Sequence, residues 1–320
     1  MRTSSTIYSH DYRSAGWAAN QKPWQFKVKY VEHLGKGTYG DVSKVVEVTT
    51  GIYYAQNLVQ TRSRRDSGAM AAIEKQVKSE VAIMQRLRHD HIASVQFCGL
   101  EGNAFRLLML PIADCDLQVY LDNCVRQNYP RASLRPLDAW FGCLISALAY
   151  AHDKSIKHDD IKPSNILIKD STSLLSDFGS AKDFSGAEGG SISPEDYVAG
   201  TPVYRCPESP QRGRKADVFS VGCVFSEMLT VRQQRSLEDY RHARRVDGTD
   251  IPNAFRGNLR ATNDWITSLP ATQQQDRVHV LLVEVIQRML EKDAEERLDA
   301  RTVKRRFRGE GELLFCDTCS

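Results

Sequence analysis

Short runs of alternating hydrophobic and polar residues characterise the first third of the chain. Polar residues separate Trp24, Phe26 and Val28, and this period of two predicts a β-strand. The same reasoning, with β-branched residues and a Thr-Gly turn as further signals, predicts four more strands, at residues 42–48, 52–59, 92–97 and 105–110. Apolar residues recur every three or four positions between Ile73 and Leu87, so residues 72–87 should form one amphipathic helix.

Beyond Pro111 the hydrophobic period becomes helical. One amphipathic helix is predicted from Leu137 to Ala151, and the run Val218–Leu229 is apolar on nearly all faces, which indicates a buried helix. Further helices are predicted at residues 278–290 and 300–308. The sequence therefore predicts an α+β fold of two lobes. Its expected parts are a flexible extension at 1–22, a β-rich N-terminal lobe at 23–111, a mainly helical C-terminal lobe at 112–308 and a tail at 309–320.

Composition and charge exclude several classes of protein. The chain has 320 residues, of which 41% are hydrophobic, enough for a large core shared by two lobes. A net charge of +3 provides no broad basic surface, so no nucleic-acid partner is expected. The longest apolar run, Gly142–Ala151, is about half the length of a membrane span. We therefore expect no membrane partner and a soluble protein of the cytoplasm or nucleus; the oligomeric state is left open.

Cysteine usage agrees with a reducing compartment. Eight cysteines are scattered through the chain, mostly within apolar runs, where cysteine usually behaves as a small core residue. Cys316 and Cys319 form a C-x-x-C pair at the end of the chain. Because the sequence contains no second pair of this kind, it does not predict a zinc site there.

A glycine cluster, Gly35-x-Gly37-x-x-Gly40, follows the first predicted strand. The same spacing occurs in Rossmann dinucleotide sites, but there the third glycine opens a helix. Here valines follow, so the cluster is predicted to form the turn of a β-hairpin. No G-K-[ST] sequence closes the motif, which excludes a P-loop. Glycines in such a hairpin allow backbone N–H groups to approach phosphates closely.

Three further motifs follow in order. They are His158-Asp-Asp-Ile-Lys-Pro-Ser-Asn165, Asp177-Phe-Gly179 and Gly200-Thr-Pro-Val-Tyr-Arg-Cys-Pro-Glu208. With the glycine cluster they match the catalytic loop, metal-binding segment and APE-type segment of protein kinases in sequence and spacing. The chain thus resembles the eukaryotic-type Ser/Thr protein kinases over residues 26–308. The resemblance implies a bilobal kinase-like fold and transfer of the γ-phosphate of ATP to a Ser or Thr hydroxyl of a protein substrate.

The resemblance also implies roles for individual residues. Asp160 would be the catalytic base and Lys162, typical of Ser/Thr-directed members, would steady the transferred phosphate. Asn165 and Asp177 would hold Mg²⁺. Met109 matches the gatekeeper, Leu110 to Ile112 the adenine-binding hinge, and Asp116 a ribose contact. The full set expected to line the ATP site is Leu34, Gly35, Gly37, Gly40, Val42, Ala55, Asn57, Glu80, Met109, Leu110, Ile112, Asp116 and Leu167.

Other matching positions would support the fold. Met84, Val95, His158 and Phe178 fall where the family stacks its regulatory spine. Glu208 and Arg297 resemble the buried ion pair that ties the APE segment to the late helices, and Asp217 resembles the residue that anchors the catalytic loop.

The main departure from the family is Asn57, which stands where the third strand should carry a lysine. That lysine normally bridges the ATP phosphates and a helix glutamate, here Glu80. Two interpretations are open. The protein is a pseudokinase, weak or inactive in catalysis, that acts as a binding or scaffold module; or another lysine supplies the charge, Lys44 on the second strand being the first candidate and Lys36 the second.

A second departure is Asp159, where regulated kinases carry an arginine that binds the phosphate of an activated loop. An acidic residue repels phosphate, so activity is not expected to depend on phosphorylation of Ser191 or Ser193. The alternative is a tolerated, solvent-facing residue. A third function, phosphorylation of a small molecule, is disfavoured because the segment Gly200–Glu208 builds a peptide platform in the resembling kinases.

Overall fold

The structure, a computed structural model, describes residues 27–37, 40–60, 67–101, 104–185, 200–208, 213–270, 277–309 and 312–319. Its N-terminal lobe is an antiparallel five-stranded sheet with one helix against it. The elements are β1 (Val28–Gly37), β2 (Gly40–Glu47), β3 (Tyr53–Gln60), α1 (Ser67–Arg86), β4 (Ser94–Glu101) and β5 (Ala104–Leu110). The strand order across the sheet is β1-β2-β3-β5-β4.

The C-terminal lobe is mainly helical. In chain order its elements are β6 (Cys115–Asp116), α2 (Leu117–Arg126), α3 (Arg131–Asp153), β7 (Ile156–Lys157), β8 (Ile166–Lys169), β9 (Thr172–Leu175), β10 (Lys182–Asp183), α4 (Arg214–Arg232), α5 (Leu237–Ala243), α6 (Leu259–Ser268), α7 (Arg277–Met289) and α8 (Ala300–Gly309). Small sheets β6-β8-β9 and β7-β10 lie in this lobe. The predicted bilobal α+β architecture is confirmed.

Some element boundaries differ from the predicted ones. β4 begins at Ser94 rather than Ile92, because Ile92 forms an isolated parallel bridge with Leu175 in the C-terminal lobe. Trp24 and Phe26, with the predicted extension 1–22, lie outside the described residues. The sequence analysis predicted no helix at α2, α5 or α6. Of these, α5 has only seven residues, too few turns to give a clear hydrophobic period.

The inner face of α1 joins the two lobes. Val77 and Val81 are buried against β3 and β5, where they pack with Val59, Phe105 and Leu107. One turn further on, Met84 belongs instead to the large core of the C-terminal lobe. The apolar face of α1 thus packs against both lobes, and this packing holds the helix in its position relative to the sheet.

Helix α4 is the buried centre of the C-terminal lobe. Nearly every residue from Ala216 to Val231 is buried, as its all-round apolar sequence predicts. Gly222 allows the neighbouring α7 to approach closely, since a Cβ there would lie 3.0 Å from Met289 Cβ. In the described part of the chain, no helix is long and apolar enough to cross a membrane.

The last described residues, 312–319, form a segment that packs against α3; we call it the C-terminal segment. Leu314 and Phe315 are buried there. The contact depends on Gly142 of α3, because a Cβ at this position would lie 2.0 Å from the Leu314 carbonyl oxygen and 2.7 Å from the Phe315 ring. A glycine inside a helix is unfavourable by itself, so close packing explains its presence.

Gly142→Ala should therefore displace the C-terminal segment. We expect a loss of unfolding free energy of about 1–3 kcal/mol, the usual effect of overpacking, measured by urea denaturation, together with faster proteolytic cleavage of the segment. Gly257→Ala is the matched control, since a Cβ at Gly257 meets nothing within 4 Å. Equal denaturation midpoints for Gly142→Ala and the parent protein would contradict this packing.

Candidate active site

The catalytic-loop backbone is anchored by Asp217 at the start of α4, as the sequence predicts. Its carboxylate accepts hydrogen bonds from the backbone N–H of His158 (2.9 Å) and of Asp159 (2.8 Å), and contacts Nε2 of His152 at 2.9 Å. Burial raises the pKa of Asp217, but these hydrogen bonds outweigh burial and lower it. An ionised carboxylate inside the protein thus holds the turn, in which Asp159 has a φ of +66°.

Asp160 lies at the centre of a network of hydrogen bonds. Its carboxylate accepts from Lys162 Nζ (2.8 Å), from the backbone N–H of Thr201 (2.7 Å) and from Asn165 Nδ2 (3.1 Å). Lys162 Nζ also contacts Thr201 Oγ1 at 2.8 Å. Burial raises the pKa of Asp160, but the hydrogen bonds from the Lys162 ammonium and from Thr201 outweigh burial, and the net pKa is lowered. The carboxylate is therefore ionised at neutral pH.

Thr201 belongs to one of the predicted motifs, but the sequence predicts no role for it. The structure joins its backbone N–H and its hydroxyl to Asp160 and its hydroxyl to Lys162. The motif locates Thr201 in the sequence, directly after the single glycine of the segment Gly200–Glu208. The contact of Thr201 with residues about 40 positions earlier could not be read from the motif.

The expected metal ligands lie on two adjoining loops. Asn165 donates its amide hydrogens to the Asp160 backbone carbonyl (2.8 Å) and carboxylate. Within the described ranges its Oδ1 accepts no hydrogen bond, which suits a hard cation. Asp177 has a φ of +60° and accepts a 3.3 Å bond from the Gly179 N–H. The oxygen donors of both residues fit Mg²⁺, and their role remains a prediction.

Asp159 is not solvent-facing, which corrects one of the two expectations for it. Its side chain is only 4% exposed, and Lys157 Nζ lies 3.3 Å from its carboxylate. The Lys157 side chain is 5% exposed, so this ion pair lies inside the protein. At the position where regulated kinases bind a loop phosphate, this protein thus has Asp159, whose carboxylate is paired with the buried ammonium of Lys157. Ser191 and Ser193 lie outside the described residues.

The side chains expected to form the spine pack together. The His158 and Phe178 rings are 4.6 Å apart and both are fully buried. Met84 belongs to the same hydrophobic core as Phe178, and Val95 packs against this core.

The predicted Glu208–Arg297 pair is also present, with two parallel bonds of 2.6 and 2.9 Å. This bidentate geometry ties the segment Gly200–Glu208 to the loop before α8.

Positions expected to bind the nucleotide lie along the sheet and at the junction of the lobes. Val42 pairs with Asn57, Ala55 with Met109, and Asp116 with Leu167. Leu34 and Gly35 are on β1, with Gly37 at its end, and Gly40 begins β2. Gly40 has a φ of +148°, and a Cβ there would lie 2.8 Å from the Leu58 carbonyl oxygen, so the start of β2 requires glycine.

The Ile112 N–H is a candidate backbone donor in the hinge. The N–H of Ile112 forms no hydrogen bond with the residues that the structure describes, whereas Pro111 has none to offer and the Leu110 carbonyl accepts a 3.3 Å bond from Ser94 Oγ. Asp116 caps α2 by accepting the Val119 N–H at 2.9 Å. The adenine and ribose contacts at these positions stay predictions.

Asn57 is a buried, uncharged residue at the position where the family carries its lysine. It lies on the same face of β3 as Val59, which packs against α1, and on α1 Glu80 follows Val77 by one turn. Asn57 is 8% and Glu80 6% exposed. In the described part of the chain neither Asn57 Oδ1 nor Glu80 Oε2 has a hydrogen-bond partner. Burial, and secondly the Asp177 carboxylate, raise the pKa of Glu80 to about 8.

Lys44 is paired with another residue and not with Glu80. Its Nζ lies 2.9 Å from Glu32 Oε1 and 5.4 Å from the centre of the Tyr53 ring. A register shift after Tyr30 places Glu32, rather than Val31, opposite Lys44, and side chains directly opposite on one sheet face interact. The Glu32 side chain is 55% exposed, so this is a surface pair. The side chain of Lys36 lies outside what the structure describes.

A comparison with known families agrees with these features. The protein kinase domain family matches residues 28–306. The match covers most of the chain, and the chain belongs to the protein kinase domain family. The predicted resemblance is thereby confirmed at the level of the family.

The raised pKa of Glu80 predicts a pH-dependent stability. Between its ordinary pKa of 4.5 and about pH 8, Glu80 stays protonated in the folded protein and is ionised in the unfolded chain, so its contribution to the unfolding free energy falls as pH rises. Glu80→Gln removes this ionisation. We expect a flatter pH dependence of urea denaturation, by at most about 1.4 kcal/mol per pH unit.

Glu295→Gln, at an exposed position, is the control and should follow the parent protein. If Glu80→Gln has the same pH dependence as the parent protein, Glu80 ionises in the ordinary acidic range and its pKa is not raised.

Proposed function

We propose that this protein is a Ser/Thr protein kinase that uses ATP and Mg²⁺ and whose rate is reduced by Asn57. The observation that carries this proposal is the Asp160 network, in which one ionised carboxylate contacts both Lys162 and Thr201. A general base has to be ionised and within hydrogen-bond reach of the proton that it accepts. Asp160 meets the first condition, and its loop is held in place from α4.

Each residue of the network has a separate role in this proposal. Asp160 would accept the proton of a substrate hydroxyl, while Lys162, held between Asp160 and Thr201, would place a positive charge beside the transferred phosphoryl group. Asn165 and Asp177 would hold Mg²⁺, and Ile112 would donate its backbone N–H to adenine. Positioning and charge are the main contributions that a protein makes to this reaction.

Asn57 determines how much catalytic rate the proposed enzyme is expected to lose. An unscreened charge contact near a protein surface is worth about 4 kcal/mol, which equals roughly a thousandfold in rate if the contact acts fully in the transition state. Asn57 carries no charge, and Lys44 is engaged with Glu32. The proposed enzyme should therefore be slow and should bind Mg-ATP weakly.

A second candidate function is that of a pseudokinase that acts as a binding or scaffold module. Glu80 favours it, because within the described residues its Oε2 has no hydrogen-bond partner, and burial raises the pKa of this carboxyl to about 8, which makes it a poor anionic partner for a lysine. The intact Asp160 network favours catalysis. Both candidates are open to one set of variants.

Restoring the charge is the direct test. Asn57→Lys should raise phosphotransfer to a generic basic substrate by about ten- to a thousandfold, the range contributed by one preorganised charge. The introduced ammonium would also lower the pKa of Glu80. Initial rates with radiolabelled ATP would measure the gain, and Asn57→Met, which adds length without charge, should show none.

Two further variants separate the explanations. Asp160→Asn should abolish the activity of the Asn57→Lys protein, and Lys44→Ala should leave the parent rate unchanged. Loss of activity in Lys44→Ala would show instead that Lys44 supplies the charge. If all variants share one flat baseline while Mg-ATP still raises the melting temperature in a saturable way, the protein is a nucleotide-binding module and not a kinase.

A further inference from the structure

Four side chains of the types that bind metals lie together where the C-terminal segment packs against α3, and none of them belongs to the candidate active site. They are His91, Cys143, Cys316 and Cys319, and one ligand atom from each lies within 4.8 Å of all the others. They come from three distant parts of the sequence: the loop after α1, the middle of α3, and the C-terminal segment. His91, Cys143 and Cys319 are buried, and Cys316 is partly buried.

His91 is oriented as a metal ligand. Its Nδ1 lies 2.7 Å from the Ser173 carbonyl oxygen, and since a carbonyl can only accept, Nδ1 must carry the proton. The lone pair of the neutral ring is therefore on Nε2, which lies 3.1 Å from Cys316 Sγ. Metal-binding histidines usually donate their second ring N–H in this way, which fixes the tautomer and the ring plane.

The C-terminal segment places the sulfurs of Cys316 and Cys319 near His91. A turn with a 3.0 Å hydrogen bond from the Cys319 N–H to the Cys316 carbonyl folds the C-x-x-C sequence back on itself. The Cys316 N–H lies 3.4 Å from Cys143 Sγ, and Arg308 donates to the Cys319 carbonyl at 3.0 Å. Thr318 Oγ1 lies 3.1 Å from Cys316 Sγ. Such contacts orient and stabilise thiolates around a metal.

The donor set selects the metal. Three sulfurs and one imidazole suit zinc, whereas magnesium and calcium require oxygen ligands. Zinc–sulfur distances of about 2.3 Å in a tetrahedron place neighbouring sulfurs about 3.8 Å apart, so the cluster needs to contract by only about 1 Å. Four protein ligands would leave no open coordination position, which is the arrangement of a structural site rather than a catalytic one.

We propose that His91, Cys143, Cys316 and Cys319 bind one Zn²⁺ ion that fastens the C-terminal segment to α3 and to the loop after α1. The sequence alone did not predict this site, because it lacks a second C-x-x-C pair. The fold supplies the other two ligands instead. His91 follows α1, the helix that carries Glu80, so the ion connects the end of that helix to the C-terminal lobe.

Metal content of the full-length chain tests the proposal. Protein purified with a reducing agent and without chelators should contain one zinc per chain by inductively coupled plasma mass spectrometry. Cys319→Ser and Cys143→Ser should reduce the zinc content to background. Cys124→Ser and Cys223→Ser, which replace buried cysteines outside the cluster, should each keep one zinc. Removal of zinc from the parent protein with a strong chelator should lower its melting temperature.

A measurement on the parent protein is independent of how the variants fold. X-ray absorption at the zinc edge should show three sulfur neighbours at about 2.3 Å and one nitrogen at about 2.0 Å. His91→Cys should retain zinc with four sulfur neighbours. The proposal is overturned if the parent protein contains no zinc even after zinc is added to the reduced protein, or if Cys319→Ser and Cys143→Ser retain zinc. A disulfide within the cluster, found by peptide mapping of protein prepared in reducing buffer, would also overturn it.

Discussion

The buried carboxylate of Asp217 is the constraint on which the candidate active site depends. Removing a charge from water is strongly unfavourable unless hydrogen bonds compensate it, and here two backbone N–H groups and His152 do so. These bonds fix the backbone of His158 and Asp159, including the positive φ of Asp159. The His158 ring then meets Phe178, and the Asp160 carboxylate, one residue further on, meets Lys162 and Thr201. One anchor on α4 thereby positions both the spine and the proposed base.

The same turn explains how an acid is accommodated at position 159. Lys157 precedes it on β7 and lies 3.3 Å from its carboxylate inside the protein. A buried pair of this kind contributes little net stability, but removal of one member leaves an uncompensated charge. The charge of Asp159 therefore depends on the charge of Lys157, and the reverse is also true. In the regulated kinases that the chain resembles, the cation at this place faces a loop phosphate; here the cation and the acid face each other.

The sequence could predict whatever depends on local spacing. The positions of Asp160, Lys162, Asn165 and Asp177 follow from motifs, and the two lobes follow from the change of hydrophobic period. The direction of Lys44 could not be predicted, because it depends on a register shift in β1 that places Glu32 opposite it. The cysteine cluster could not be predicted either. His91 and Cys316 are 225 residues apart in the sequence, and they come together because the C-terminal segment packs on α3, close to Gly142.

The absence of the lysine raises the question of what holds α1 in place. In the family this helix is tied to the sheet by a lysine–glutamate ion pair, worth about 4 kcal/mol at most near a surface. In this protein Val77, Val81 and Met84 of α1 are 0–2% exposed. Each such side chain contributes about 1.5–3 kcal/mol by its burial, so the three together exceed the missing contact.

A neutral Glu80 is consistent with this arrangement, since a protonated carboxyl is far less unfavourable to bury than an ionised one. The loop after α1 adds backbone bonds to the C-terminal lobe, from the Leu175 N–H to the His91 carbonyl and from the Ala93 N–H to the Leu175 carbonyl, each 2.9 Å long. Helix α1 is thus held by apolar packing along its length and by hydrogen bonds at its end. Its position does not require a charge at residue 57, so a lysine introduced there would meet a site whose geometry is already formed.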